Sequence, residues 1–519
     1  MQLAEFRNEP LRDFRGNPEH AKRMEEALDQ VRRELGQEYD LVINGERIKT
    51  PDKFCSYNPG QKDQVVGVIS KADAGLAERA IRAADEAFET WSHTPAEQRV
   101  QLALKTARIM RERKFHYMAW MCYEVGKTWP EADADVAEAI DFAEFYAREM
   151  LRLDPPQPLT PVTGERNYLR YLPLGVGVVI PPWNFPLAIL TGMTLASVVA
   201  GNTVVMKPSS DSPVIAYKLF EALEEAGMPP GVVNYLPGAG GSVGDVLVGH
   251  PRTRFVAFTG SKEVGLHVNL EAAKTAPGQI WVKRVIAEMG GKNAIIVDSE
   301  ADLEAAVEGV AASAFGYQGQ KCSACSRAIV VESVYDAFLE KLQRRVAQIK
   351  VGPATHPDSH MGPVINARAK QSIMEYIEIG KKEGRLVAGG AVAPGAGHFI
   401  QPTVIADVAP HARIAQEEIF GPVLAVIKAR DFDEALGIAN DTEYGLTGAV
   451  YTKNRQKISK AAEDFFVGNL YFNRKCTGAL VGGHPFGGFN MSGTDSKAGG
   501  RDYLLLFTQA KAVSEKVAT

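Results

Sequence analysis

The 519-residue chain is too long for a single hydrophobic core, so two or three domains are expected. Apolar residues make up 45 % and charged residues 23 %, the balance of a soluble globular protein. A net charge of −5 without any dominant Lys/Arg cluster argues against a nucleic-acid or membrane-surface partner.

The opening stretch, MQLAEFRNEPLRDFRGNPEH, alternates acidic, basic and polar residues and lacks the apolar run of a signal peptide. Residues 18–37 place Met24, Leu28, Val31 and Leu35 on one face of an amphipathic helix. Longer helices are expected over 73–92, 96–123 and about 130–151. The run Asp154-Pro155-Pro156-Gln157-Pro158 then breaks the pattern, and a short hairpin-like segment leads to Tyr171. The stretch from Leu187 to Met206 is weakly polar, but Thr191, Gly192, Thr194, Ser197 and Asn202 make it a buried helix followed by a buried strand rather than a membrane span.

From Gly177 the pattern alternates. Strands are expected at 177–180, 203–207, 232–236 and 255–259, with helices over 187–200, 212–227 and 242–249 between them. A second alternation starts at Ala294–Val297, with a helix over 302–316, a strand over 327–331 and a helix over 334–349, continuing to about 470. Strand and helix at this spacing indicate α/β architecture with two doubly wound parallel-sheet domains. Such sheets bind ligands beyond the carboxyl ends of their strands. Five scattered cysteines imply no disulfide framework, which suits a reducing cytoplasm.

Common signatures fail. Gly238, Gly240 and Gly244 miss the dinucleotide spacing by one residue, and Gly126-Lys127-Thr128 lacks the first glycine of a phosphate-binding loop. No motif suggests a metal. Cys322-Ser323-Ala324-Cys325 could be a thiol-redox pair, although Cys325 as a packed neighbour one helical turn from a reactive Cys322 is the simpler reading. Other local sequences stand at predicted strand ends or at the domain junction: PPWNFP at 181–186, Lys207-Pro208-Ser209, FTGS at 258–261, EMGGK at 288–292, GQKC at 319–322, EEIFGP at 417–422 and PFGG at 485–488. Singly each reads as a turn, a loop or a buried small residue.

As a set, in this order, they resemble the aldehyde dehydrogenase superfamily over roughly residues 40–510. FGYQGQKCSA at 315–324 and YFNRKCTGALVGGHPFGGFNMSGT at 471–494 are similar to the branch acting on L-glutamate γ-semialdehyde, which oxidises it to glutamate in proline breakdown. The resemblance implies an N-terminal helical extension over 1–40 and a nucleotide-binding domain over 41–154 and 172–288. It further implies a domain over 289–473 with the nucleophile, a substrate-anchor region over 474–499, and a small β oligomerisation flap from 155–171 and 500–519. A homodimer or higher homo-oligomer follows from the same likeness.

An aldehyde becomes a good hydride donor only after a nucleophile adds to it, and a thiolate can add and later leave. By resemblance Cys322 is that nucleophile, Asn184 and the Cys322 N–H stabilise the oxyanion, and Glu288 is the general base. NAD is the implied cofactor, held by Trp183, Lys207, Ser210, Gly260, Ser261, Glu418 and Phe420. Ser210 stands where many relatives carry a glutamate that disfavours a 2′-phosphate, so NADP is expected to be accepted as well. Phe185 and Phe486 would flank the aliphatic chain, and Ser323, Gly478 and Ala479 would bind the carboxylate. Glu138 is a partner for the ammonium group or merely a solvated helix face, and His484 stands where the branch often has Gln. Competing readings are another semialdehyde as substrate, a thiol-redox protein and a non-catalytic binding protein.

Overall fold

A computed structural model describes residues 3–517. Its first large sheet runs Arg284–Glu288, Thr253–Thr259, Val176–Ile180, Thr203–Met206 and Val233–Tyr235 in parallel, then adds Leu41–Ile43 and Glu46–Ile48 antiparallel at one edge. The central strands carry almost only apolar, largely β-branched residues, as burial on both faces requires. Register aligns Phe258 with Ala287 and Thr259 with Glu288, so the strand ends at Ile180, Met206, Thr259 and Glu288 share one edge. The helix Ala188–Val199 is mostly apolar and buried except at half-buried Ile189, packed against the long helix Trp129–Leu153.

The second large sheet has the order Arg385–Ala388, Thr403–Ala406, Val423–Ala429, Arg327–Val331, Ala294–Val297, Thr447–Tyr451 and Asn469–Phe472. It is parallel except at the Arg385–Ala388 edge. A smaller sheet joins Thr508–Lys516 to Glu165–Pro173 over nine pairs, with Gln157–Pro158 beyond. Another pairs Gln37–Tyr39 and Lys53–Tyr57 with Val65–Ser70. No helix among the described residues is long and apolar enough to cross a membrane.

Several expectations change. The extension over 1–40 is helical only at Pro18–Glu34, where Asn17 caps the first turn; residues 3–13 form no regular element. Residues 96–123 make two helices, Ala96–Glu112 and Lys114–Glu124, because Arg113 leaves helical geometry at ψ 22°. The helix expected over 242–249 opens as a π-turn at Gly240–Gly244, whose three glycines lack side chains to enforce the tighter α turn. The hairpin segment extends to Pro173, and Tyr503–Phe507 returns to the main core before the last strand.

Asn202, fully buried, ties these layers together. Its Oδ1 accepts from the N–H groups of Leu174 (2.7 Å) and Gly175 (2.9 Å), and its Nδ2 donates to the carbonyls of Ser197 (3.1 Å) and Phe507 (2.9 Å). Asn202→Leu leaves the Leu174 and Gly175 N–H groups and the Phe507 carbonyl without this partner, each worth about 1–3 kcal/mol, while the Ser197 carbonyl keeps the main-chain N–H of residue 202. A loss of about 3 kcal/mol or more is expected, read as a lower denaturant midpoint at unchanged slope.

Candidate active site

The seam between the two large sheets gathers most of the residues singled out above. Gly316–Gly319 form a short 3₁₀ turn in which Tyr317 and Gln318 both adopt left-handed φ, 49° and 56°. Tyr317 Oη donates to the Val125 carbonyl (2.8 Å), and Gln318 Nε2 to those of Gly126 (3.0 Å) and Pro363 (2.8 Å). Cys322 follows in an open turn rather than a helix.

Asn293 holds this turn from below. Its Nδ2 donates to the carbonyls of Cys322 (2.7 Å) and Ala324 (2.8 Å), while its Oδ1 accepts from Thr447 N–H (2.9 Å). The approach requires glycine next door, since a Cβ on Gly291 would lie 2.7 Å from the Cys322 oxygen. Asn184, buried at the end of Val176–Ile180, donates from Nδ2 to the Gln320 carbonyl (3.0 Å). One hydrogen of that amide remains free, and the Cys322 N–H has no hydrogen-bond acceptor among the described residues. Ser323 is buried, and its N–H points to the Cys322 sulfur.

The electrostatics oppose a free thiolate. Burial, then the nearby carboxyls of Glu288 and Glu418, push the half-buried Cys322 thiol up to about 12. Burial raises Glu288 to about 8, against a hydrogen bond from Ser496 Oγ; its Oε2 is buried without a partner. Glu138 also faces this space, pushed up to about 8 by burial and then by Asp135; it is half-buried, not a solvated helix face.

Beyond the strand ends lies a second group. Lys207 is buried, its ammonium touching only the Pro208 carbonyl (3.3 Å), and burial lowers it to about 8. Ser210 beside it is exposed. Gly260 precedes Ser261, which caps the helix Lys262–Ala273 through its side chain on Val264 N–H (3.3 Å). Glu418 accepts from Gly291 N–H (2.9 Å), with burial raising it to about 7. The rings of Trp183 and Phe420 meet edge-on at 5.6 Å. A buried ammonium, an open helix N-terminus, a carboxylate and two aromatic rings along one sheet edge suit a dinucleotide's ribose, pyrophosphate and flat base.

The residues expected to bind a carboxylate lie on a turn held by Arg474. Arg474 Nη2 donates to the carbonyls of Thr477 (3.0 Å) and Gly478 (3.1 Å). N–H and C=O of one peptide unit point oppositely. The amides of Gly478 and Ala479 therefore face away from Arg474, and neither donates within the described residues. Gly478 makes the turn at φ +74°, with the Lys475 ammonium close by. Phe185 lies against the Lys127 ammonium (3.9 Å from the ring centre), itself paired with Asp135 (3.3 Å). Phe185 and half-buried Phe486 make no ring contact with each other. His484 accepts from Leu480 N–H (3.1 Å) and so braces the loop.

Cys325 is packed, as expected, but not one helical turn from Cys322. It is fully buried in the core of the second sheet, and its thiol faces Cys476 and the Arg327 carbonyl (3.4 Å), not Cys322. A redox pair joining Cys322 to Cys325 is therefore not assembled. The sequence reading also missed Asn293 and Ser496. The first stands directly after Gly290-Gly291-Lys292, a signal for main-chain clamping; the second has no local signal.

The sequence model of the aldehyde dehydrogenase family matches residues 48–513. The 1-pyrroline-5-carboxylate dehydrogenase of Geobacillus sp. (strain WCH70) is 60 % identical over 510 residues, 98 % of this chain and 99 % of the relative. Among solved structures, the 1-pyrroline-5-carboxylate dehydrogenase from Thermus with bound NAD superposes with a TM-score of 0.98 at 53 % identity, covering 99 % of this chain and 100 % of that one. The betaine aldehyde dehydrogenase from Staphylococcus aureus in complex with NAD+ gives 0.89 at 31 %, covering 96 % and 98 %.

Because burial, and then the neighbouring carboxyls, oppose charge on the Cys322 sulfur, its alkylation by iodoacetamide in cofactor-free protein should be slow at pH 7 and keep climbing beyond pH 9. Glu288→Gln removes one negative neighbour and should move the curve to lower pH. Labelling rate against pH, followed by mass spectrometry, checks both; a plateau near pH 7 would contradict the assignment.

Proposed function

This chain belongs to the aldehyde dehydrogenase family, and from that premise we propose that it oxidises L-glutamate γ-semialdehyde, the open-chain form of 1-pyrroline-5-carboxylate, to L-glutamate with NAD, the second step of proline breakdown. The observation that carries the substrate is the pair of free amides at Gly478 and Ala479, turned outward by Arg474. Successive N–H groups in such a turn form a nest for a carboxylate, and Lys475 adds positive charge beside it. Ser323 completes the anchor, Phe185 and Phe486 flank the chain, and Glu138 takes the ammonium group.

Chemistry starts at Cys322, whose sulfur bonds to the aldehyde carbon once its proton has left. Glu288 Oε2, buried and unpartnered, is the nearby acceptor, and a carboxyl raised to about 8 can both take and give a proton near neutrality. The free hydrogen of Asn184 Nδ2 and the Cys322 N–H donate to the oxyanion; removing one such donor typically costs about 100- to 1000-fold in rate. Lys207, Ser210, Gly260, Ser261, Glu418, Phe420 and Trp183 would hold NAD, which would supply the hydride acceptor. Departure of hydride from the adduct would leave a thioester on Cys322. Glu288, having passed the thiol proton to solvent, then takes a proton from the attacking water; Cys322 departs as the thiolate and regains its proton from Glu288.

We place the enzyme in the cytoplasm as a homodimer or a larger homo-oligomer. The projecting sheet of Glu165–Pro173 and Thr508–Lys516, with Leu159 and Val162 exposed beside it, supports self-association.

NADH formation should be far faster with 1-pyrroline-5-carboxylate than with succinate semialdehyde or butanal. Cys322→Ala should abolish it while NAD still binds, measured by calorimetry; residual activity in that variant would refute covalent catalysis. Exposed, neutral Ser210 offers no charge against a 2′-phosphate. NADP should therefore support turnover, with kcat/KM below that for NAD by less than about a thousandfold, some 4 kcal/mol.

A further inference from the structure

Residues 4–12 lie as an irregular strap along the long helix Trp129–Leu153 and touch, at Phe6 and Asn8, the loop that follows Ala479. Ala4 offers its carbonyl to Arg148 Nε (3.0 Å), and the Phe6 ring meets Phe145 edge-on at 5.2 Å. Glu9 N–H donates to Asp141 Oδ1 (2.6 Å) while its carboxylate takes Arg111 (2.7 Å). Lys114, almost fully buried, holds the Pro10 carbonyl (3.1 Å) and Asp133 (2.7 Å), and Arg12 N–H reaches the same Asp133. Two contacts leave the helix for the loop. Asn8 Nδ2 donates one hydrogen to Asp141 Oδ2 (2.9 Å) and the other to the Val481 carbonyl (3.0 Å). Phe6 and Phe145 flank the exposed Gly482, where a Cβ would come 3.1 Å from one ring and 3.2 Å from the other.

We infer that this strap is a specificity-determining element: Asn8 and Phe6 fix Val481 and Gly482, and through them the carboxylate nest at Gly478 and Ala479. The inference rests on the reading of that nest as the anchor. On the far side, Gly482 N–H bonds the Gly499 carbonyl (2.8 Å) and Gly499 N–H bonds Tyr146 Oη (2.8 Å), so the loop is clamped from both flanks. Arg474 sets the direction of the two amides, and the strap sets where they stand. Asn8 touches no group in the proposed chemistry and acts only as a positioning residue.

The test compares Asn8→Ala and the double variant Phe6→Ala/Asn8→Ala with the full-length enzyme, with Ala479→Leu alongside. Loss of both Asn8 hydrogen bonds, the one to the Val481 carbonyl included, should raise KM for the semialdehyde about fivefold in Asn8→Ala, more in the double variant. KM for NAD and kcat/KM for uncharged butanal should stay within about twofold, a split that general destabilisation would not produce. Hydrogen exchange at the amides of 478–483 should quicken while the rest of the chain keeps its protection. If Ala479→Leu raises KM for the semialdehyde and the strap variants do not, or if they weaken both aldehydes alike, the strap has no such role. If Ala479→Leu leaves KM unchanged, the anchor reading itself falls and takes the strap's role with it.

Discussion

Everything at the centre of this molecule depends on one close approach of main chain to main chain. The Cys322 turn has to pass over Gly291 at a separation that admits no side chain, and Asn293 fastens the two by donating twice from a single amide. The first sheet contributes Asn184 and Glu288 at its strand ends, and the second contributes the turn itself. Neither sheet alone brings the Cys322 thiol together with Asn184 and Glu288. The strand register explains why the junction falls where it does: Glu288 ends the last parallel strand of one sheet, and Ala294 begins the next only after Gly290 and Gly291 have let the chain through.

The charges around the seam fit proton handling better than permanent ionisation. Glu288, Glu418 and Glu138 all sit above the ordinary carboxyl range because burial penalises their charged forms. Each is a poor anion while isolated and a ready one when a cation or a donor comes near. The Cys322 thiol obeys the same rule with the sign that protects it, staying protonated among these groups. Lys127, Lys207 and Lys292 show the converse, with burial lowering each ammonium; Lys292 falls to about 7 beside Arg327.

Much of the architecture could be read from the chain because burial on both faces leaves an unmistakable trace. Ala294–Val297 and Arg327–Val331 were bounded to the residue, since a parallel interior strand is a short apolar run closed by polar neighbours. Three-residue pieces such as Leu41–Ile43 carry too little pattern to be seen, and the break at Arg113 interrupts no apolar periodicity. Cys325 misled because Cys-x-x-Cys suggests proximity in a helix, whereas the turn after Cys322 sends the second thiol into the core. Asn8, Ser496 and Asn293 act across hundreds or tens of residues, through contacts that no local spacing encodes. The motif residues of the seam were legible only as a set, because each alone resembles an ordinary turn.

The paired left-handed residues Tyr317 and Gln318 have one more consequence. Such backbone costs about 1–2 kcal/mol per residue for side chains other than glycine, and here it is held by carbonyls of Val125 and Gly126, far away in the chain and on the other side of the junction. A half-made polypeptide has nothing to hold that bend, so its thiol resembles any other cysteine. The placing of this thiol beside Asn184, Glu288 and Glu418 is thus a late product of folding, reached only once both halves of the chain have met.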